Sequence, residues 1–126
     1  MADNTCTLRF DGIDDEYDIL AFTAERSAGL NAIHFQIKTC KGTMHLVNAA
    51  NAERRVPSAT LLLTKGGQTA VHIEFRDLLI KDDMVYATSG GHPVETYKIE
   101  AAGMDVIEQI GPLSYGTMLP GKTYRY

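Results

Sequence analysis

Apolar and polar side chains alternate along most of this chain, and the alternation marks out its strands. Cys6, Leu8 and Phe10 predict a first strand over Thr5–Phe10. A second runs from Tyr17 to Ser27, with Tyr17, Ile19, Ala21 and Thr23 on one face and Asp18, Leu20, Phe22 and Ala24 on the other. Apolar residues on both faces predict burial from both sides, by the core and by a neighbouring subunit. Ile33, Phe35 and Ile37 alternate with His34, Gln36 and Lys38 in a third strand. Ser58–Thr64 and Thr69–Asp77 form a hairpin through Lys65-Gly66-Gly67-Gln68, with Val71, Ile73 and Phe75 facing in. An acidic break at Lys81-Asp82-Asp83 precedes a strand-like run over Met84–Thr88. Ser89-Gly90-Gly91-His92-Pro93 then reverses the chain, and Val94–Ala101 alternates again. Gly91 is expected to be structural there, so that valine in its place costs on the order of a few kcal/mol.

One segment has helical spacing. Met44, Leu46, Val47 and Ala50 form an apolar stripe within Thr43–Ala52, with Gly42-Thr43 as the N-terminal cap and Pro57 as the stop. From Gly111 to Tyr126 no period holds, and two prolines, three glycines and three tyrosines suggest an arm that docks by its aromatic rings. The fold class is therefore mainly β: a small antiparallel β-barrel with one short α-helix, over residues 1–110, followed by a tail or docking arm over 111–126. The inward set (Leu8, Phe10, Ile19, Ile37, Leu62, Ile73, Phe75, Ile99) is bulky enough to fill a barrel of this size.

Composition narrows the function. A chain of 126 residues with 44% hydrophobic and 22% charged residues fits one folded domain. A net charge of −4 lacks the basic footprint of a nucleic-acid binder. No run is long enough to span a membrane, and Met-Ala-Asp-Asn-Thr does not open a signal peptide. Export without a cleaved signal would need a dedicated apparatus. Two cysteines, Cys6 and Cys40, make no disulfide framework, and Cys6 sits at an apolar strand position expected to be buried.

Catalytic and metal chemistry find little support. The acidic loop Asp11–Glu16 has its glycine second, out of register for an EF-hand. His34, His45, His72 and His92 lack paired zinc spacing. Ser89 and His92 share a turn with no third orienting group, and Glu95 and Glu100 lie on a strand with no cleft implied. No catalytic residue, cofactor site or metal site is assigned.

The order of elements carries a resemblance. Thr43–Asn51, then Val56-Pro57-Ser58-Ala59-Thr60-Leu61, then Asp77-Leu78-Leu79-Ile80 and Ser89-Gly90-Gly91-His92-Pro93-Val94-Glu95-Thr96 follow one another as in the haemolysin-coregulated (Hcp) proteins. The chain resembles that family from about Ile33 to Glu108. Those proteins form the inner tube of type VI secretion systems and share their fold with phage tail-tube proteins. The resemblance implies a structural, non-enzymatic subunit: a six-membered ring, a polar lumen able to hold effector proteins, stacked rings, and assembly with spike, baseplate and sheath. It also implies a cytoplasmic protein exported through the apparatus. Two departures stand out. The link between the second and third strands is short, around Ala28–Ala32, and the tail runs past where many members end. They leave open a variant from a related phage-like injection system. The competing functions are a monomeric ligand-binding barrel and, last, a small hydrolase using Ser89 or Cys6.

Overall fold

The computed structural model describes residues 4–27, 29–89 and 92–116. Eight elements follow in order: β1 (Thr5–Phe10), β2 (Glu16–Ser27), β3 (Leu30–Lys38), α1 (Thr43–Asn51), β4 (Val56–Lys65), β5 (Gln68–Ser89), β6 (His92–Gln109) and β7 (Ser114–Tyr115). The strands form one antiparallel sheet in the order β1-β4-β5-β6-β3-β2-β7. Because β1 also pairs with β2, through Thr7↔Asp18 and Leu8↔Tyr17, the sheet closes into a ring. Closure removes most of the edges that an open sheet of this size would expose.

The ring is filled from all sides. Leu8, Phe22, Ile33, Phe35, Leu61, Ile73, Phe75, Tyr97 and Ile99 are fully buried. Phe35 and Tyr97 are directly opposite on β3 and β6, and their rings stack at 5.9 Å with 27° between planes. Seven of the eight expected inward residues are in this core; Leu62 is not, at 36% exposed. The pairs Leu61↔Ile73 and Leu63↔Val71 turn the odd positions of β4 inward. Three consecutive leucines have no alternation from which to choose a face, so the partner strand decides.

Three strand features differ from the sequence pattern, each through a local irregularity. In β2, the register shifts between Ile19 and Ala21. Tyr17 and Ile19 are buried before that bulge and Phe22 after it, so one extra residue re-phases the strand. Apolar residues on both faces thus reflect a change of phase. The acidic break at Lys81-Asp82-Asp83 is likewise no break: β5 runs on to Ser89, with a register shift between Asp82 and Val85. Asp77, at φ +50°, also kinks β5, and Phe75 and Leu78 both become buried. Opposite this kink, β6 continues unbroken to Gln109. The Gly90-Gly91 turn lies outside the described residues.

The β4–β5 hairpin closes through Gly66 and Gly67, with φ of +59° and +80°. Two consecutive positive φ values are what a two-residue turn of matching twist demands, and glycine supplies them without a Cβ clash.

Helix α1 sits over one end of the ring with Leu46 and Ala49 buried, Val47 and Ala50 half-buried, and Met44 exposed. Its N-cap is Gly42, as expected, but no side chain caps the first turn. Gly42 offers no side chain, and Thr43 Oγ1 donates to the Cys40 carbonyl at 2.6 Å, which ties the first turn to the preceding loop. The Tyr17 hydroxyl donates to the Gly42 carbonyl at 2.7 Å, tying the helix start to β2. The helix ends before Pro57: Glu53 turns left-handed at φ +49°, and the Arg54 N–H donates to the Ala49 carbonyl. Pro57 lies inside β4.

The first residues of the expected arm belong to the sheet. Ser114 and Tyr115 pair with Thr23 and Phe22, and the Ala24 N–H donates to the Leu113 carbonyl. Leu113 and Tyr115 pack against the core, the Tyr115 ring 6.5 Å from Phe22. The strand is too short to show a period, which is why the sequence pattern does not reveal it.

Candidate assembly surface

The residues that could carry chemistry are dispersed. Cys6 is buried, and burial pushes its thiol from 9.0 up to about 12. A thiol held protonated is a poor nucleophile. Cys40 is exposed, and both cysteines are free. In native protein a thiol reagent is therefore expected to label Cys40 alone, with Cys6 reacting only after denaturation. The linkage has a sign. Above pH 9 an unfolded Cys6 ionises while the buried one does not, so stability falls as pH rises from about 9 towards 12. Denaturant titrations at pH 8 and pH 10 should show that loss, smaller in Cys6→Ala; equal losses in both would remove Cys6 as its source.

His34, His45 and His72 serve local contacts. His45 Nε2 on α1 meets Asp15 Oδ2 at 3.3 Å, so the acidic loop after β1 clasps the helix. His72 Nε2 lies 3.0 Å from Glu74 Oε1, and Thr60 donates to the same carboxylate at 2.8 Å. His34 is half-buried with partners of its own. Glu95 accepts from Thr39 at 2.7 Å and from Tyr97 at 2.8 Å. Ser89 and His92 are opposite each other in the β5–β6 ladder. Among the described residues, no group of three or more His, Cys, Asp or Glu could hold a metal ion.

What the geometry offers is a polar outer face and a few unpaired edges. Charges are paired across strands: Arg9 with Glu16, Arg76 with Asp105 at 3.1 Å, Arg55 with Asp77 at 3.1 Å, and Lys81 with Glu100. The hydrogen bond from Lys81 holds the Glu100 carboxyl below its ordinary range, with Lys98 adding to the effect. Arg76 lies flat against the backbone of Gly103, its guanidinium within 2.6 Å of where a Cβ would stand.

Strand lengths set the edges. Pairing of β4 with β5 stops at Val56↔Leu78, so from Leu79 to Ser89 β5 pairs with β6 alone. Pairing of β3 with β6 stops at Asn31↔Ala101, which leaves β6 unpaired on that side as far as Gln109. That second edge is partly capped. Arg26 donates to the Met104 carbonyl at 3.3 Å and Asn31 to the Ala102 carbonyl at 3.5 Å. Two of the exposed large apolar side chains, Ile107 and Ile110, lie at the same end. The edges fall on opposite flanks of the β5–β6 hairpin. Surfaces of that kind suit head-to-tail contact between copies, which closes into rings when the rotation allows. Neither edge is visible in the sequence, because each depends on where a partner strand stops.

The strands thus make a closed antiparallel sheet with one helix packed on it and paired charges on its outer face. Solved structures share it. Hcp1 from Salmonella typhimurium superposes with a TM-score of 0.73 at 18% identity, covering 91% of this chain and 92% of that chain. A type VI secretion system effector from Yersinia pestis gives 0.67 at 18%, over 89% and 99%. The secreted protein Hcp3 from Pseudomonas aeruginosa gives 0.61 at 11%, over the whole of both chains. The fold of this chain is the Hcp fold, as the order of its elements implied. No protein-family model and no curated protein sequence matches it.

Proposed function

We propose that this chain is a tube subunit of a type VI secretion system or a related contractile injection system. The observation that carries the reading is the Hcp fold itself, which accounts for 91% of the chain in the superposition on Hcp1 from Salmonella typhimurium. Residues 1–110 form the ring-building body and 111–126 its arm, whose Ser114 and Tyr115 join the sheet beside β2. Copies join head to tail, using the edge of β5 beyond Leu78, into a ring of six. Rings stack into a conduit that takes effectors in its lumen and assembles with spike, baseplate and sheath. The protein is made in the cytoplasm and leaves through the apparatus without signal cleavage. Among the described residues no helix is long and apolar enough to cross a membrane.

Two observations support a structural role over the alternatives. Ten or more large side chains fill the ring's interior, against a ligand-binding barrel. Cys6, one of the two nucleophiles a small hydrolase would use, is buried and protonated.

The purified protein is expected to have a light-scattering mass of several times 13.8 kDa and to show rings in negative-stain micrographs. A 13.8 kDa species at high protein concentration would overturn the reading.

A further inference from the structure

The edge of β6 beyond Ala101 is bare backbone held partly shut. Pairing of β3 with β6 ends at Asn31↔Ala101, and among the described residues no strand flanks β6 on that side from Ala102 to Gln109. A row of free N–H and C=O groups accepts any extended chain that reaches it. Apolar side chains add to the attraction here: Ile107 is 59% exposed, and Ile110, just past the strand end, 60%. Two polar side chains stand in the way. Arg26, near the end of β2, donates to the Met104 carbonyl at 3.3 Å, and Asn31, at the start of β3, donates to the Ala102 carbonyl at 3.5 Å. The two donors are opposite each other in the β2–β3 ladder. The two acceptors are alternate residues of β6, so both carbonyls point to the same flank. The end of the β2–β3 hairpin thus brings both blockers to the place where β3 stops.

We propose that Arg26 and Asn31 guard the β6 edge, and that a second copy of this chain must displace them before it pairs there. The strand that displaces them is the bare stretch of the second copy's β5, from Leu79 to Ser89, which pairs only with β6 of its own chain and lies on the opposite flank of the hairpin. Each copy therefore carries both halves of the contact. The occupant rests on the tube reading, which the guard deepens by naming the second surface of the head-to-tail contact and the step that limits it. A guanidinium has donors only, so Arg26 covers a carbonyl without becoming part of a ladder. Arg26 is exposed and Asn31 half-buried, so both can swing away with the core intact. A guard of this kind favours closure. A loose encounter that forms part of a ladder does not offset the two bonds it breaks, whereas a ring pairs every edge at once.

Sedimentation velocity over a dilution series of the full-length protein tests the guard. R26A/N31A is expected to assemble at a concentration at least about tenfold below that of the wild type, the change for removing one charged and one neutral hydrogen bond that assembly must break. The gain should vanish in R26A/N31A/I107K, because a lysine on a strand edge discourages pairing there. Equal thresholds in R26A/N31A and the wild type would overturn the guard. A gain that survives I107K would overturn it too, since the association would then use another surface. A wild type that stays monomeric sinks the tube reading alone: the guard still stands if R26A/N31A associates where the wild type does not, and falls if both stay monomeric.

Discussion

Phe35→Ala is expected to destabilise the fold by about 3–5 kcal/mol, the usual loss for truncating a fully buried aromatic ring. Phe35 is at the middle of β3, fully buried, with neighbours on both flanking strands: Phe22 on β2 and Tyr97 on β6. Its removal costs the transfer of the ring from water. It also leaves a void that stacked Tyr97 cannot fill, because the Tyr97 hydroxyl is tied to Glu95 at 2.8 Å. For a protein of marginal stability this is a large share of the total. Denaturant unfolding, with its midpoint and slope, is the measurement. A loss under 1 kcal/mol would show that the β2–β3–β6 wall repacks freely, contrary to the close-packed interior described above. Phe35→Leu, which keeps most of the volume, should recover more than half of the loss.

The second large effect is expected at Gly116. Its φ of +67° is a left-handed conformation that side chains rarely adopt. A Cβ there would also stand 2.5 Å from the Leu20 carbonyl oxygen and 3.2 Å from the Ala21 methyl. The first contact is with backbone, which has nowhere to move inside a bulged strand. Gly116→Val should therefore detach β7 and lose the packing of Leu113 and Tyr115, at about 1–3 kcal/mol. Gly111 is the control. It has a left-handed φ of +91°, but nothing lies within 4 Å of its Cβ position. Gly111→Ala should cost only the backbone strain, about 1 kcal/mol. Thermal unfolding of the two variants decides: equal shifts would mean that the close approach at Leu20 plays no part.

Determination by sequence alone went as far as local alternation could carry it. The strands around Leu8, Phe35, Ile73 and Ile99, the Gly66-Gly67 turn and the helix with Leu46 facing in all follow from period and turn chemistry, because each depends on residues a few positions apart. The order of those elements was enough to suggest the Hcp fold, which the superpositions then bore out. Tertiary structure decided what two distant segments settle between them. Leu62 faces out because β5 sets the register of β4. The mixed faces of β2 come from a bulge opposite β3, and Asp82 rides a bulge where a break between two strands was expected. The unpaired edge of β5 exists because β4 begins at Val56, and the place of β7 exists because β1 leaves β2 at Asp18. Hydrogen-bond partners on another strand fix these features, and no window of sequence contains both halves of such a pair.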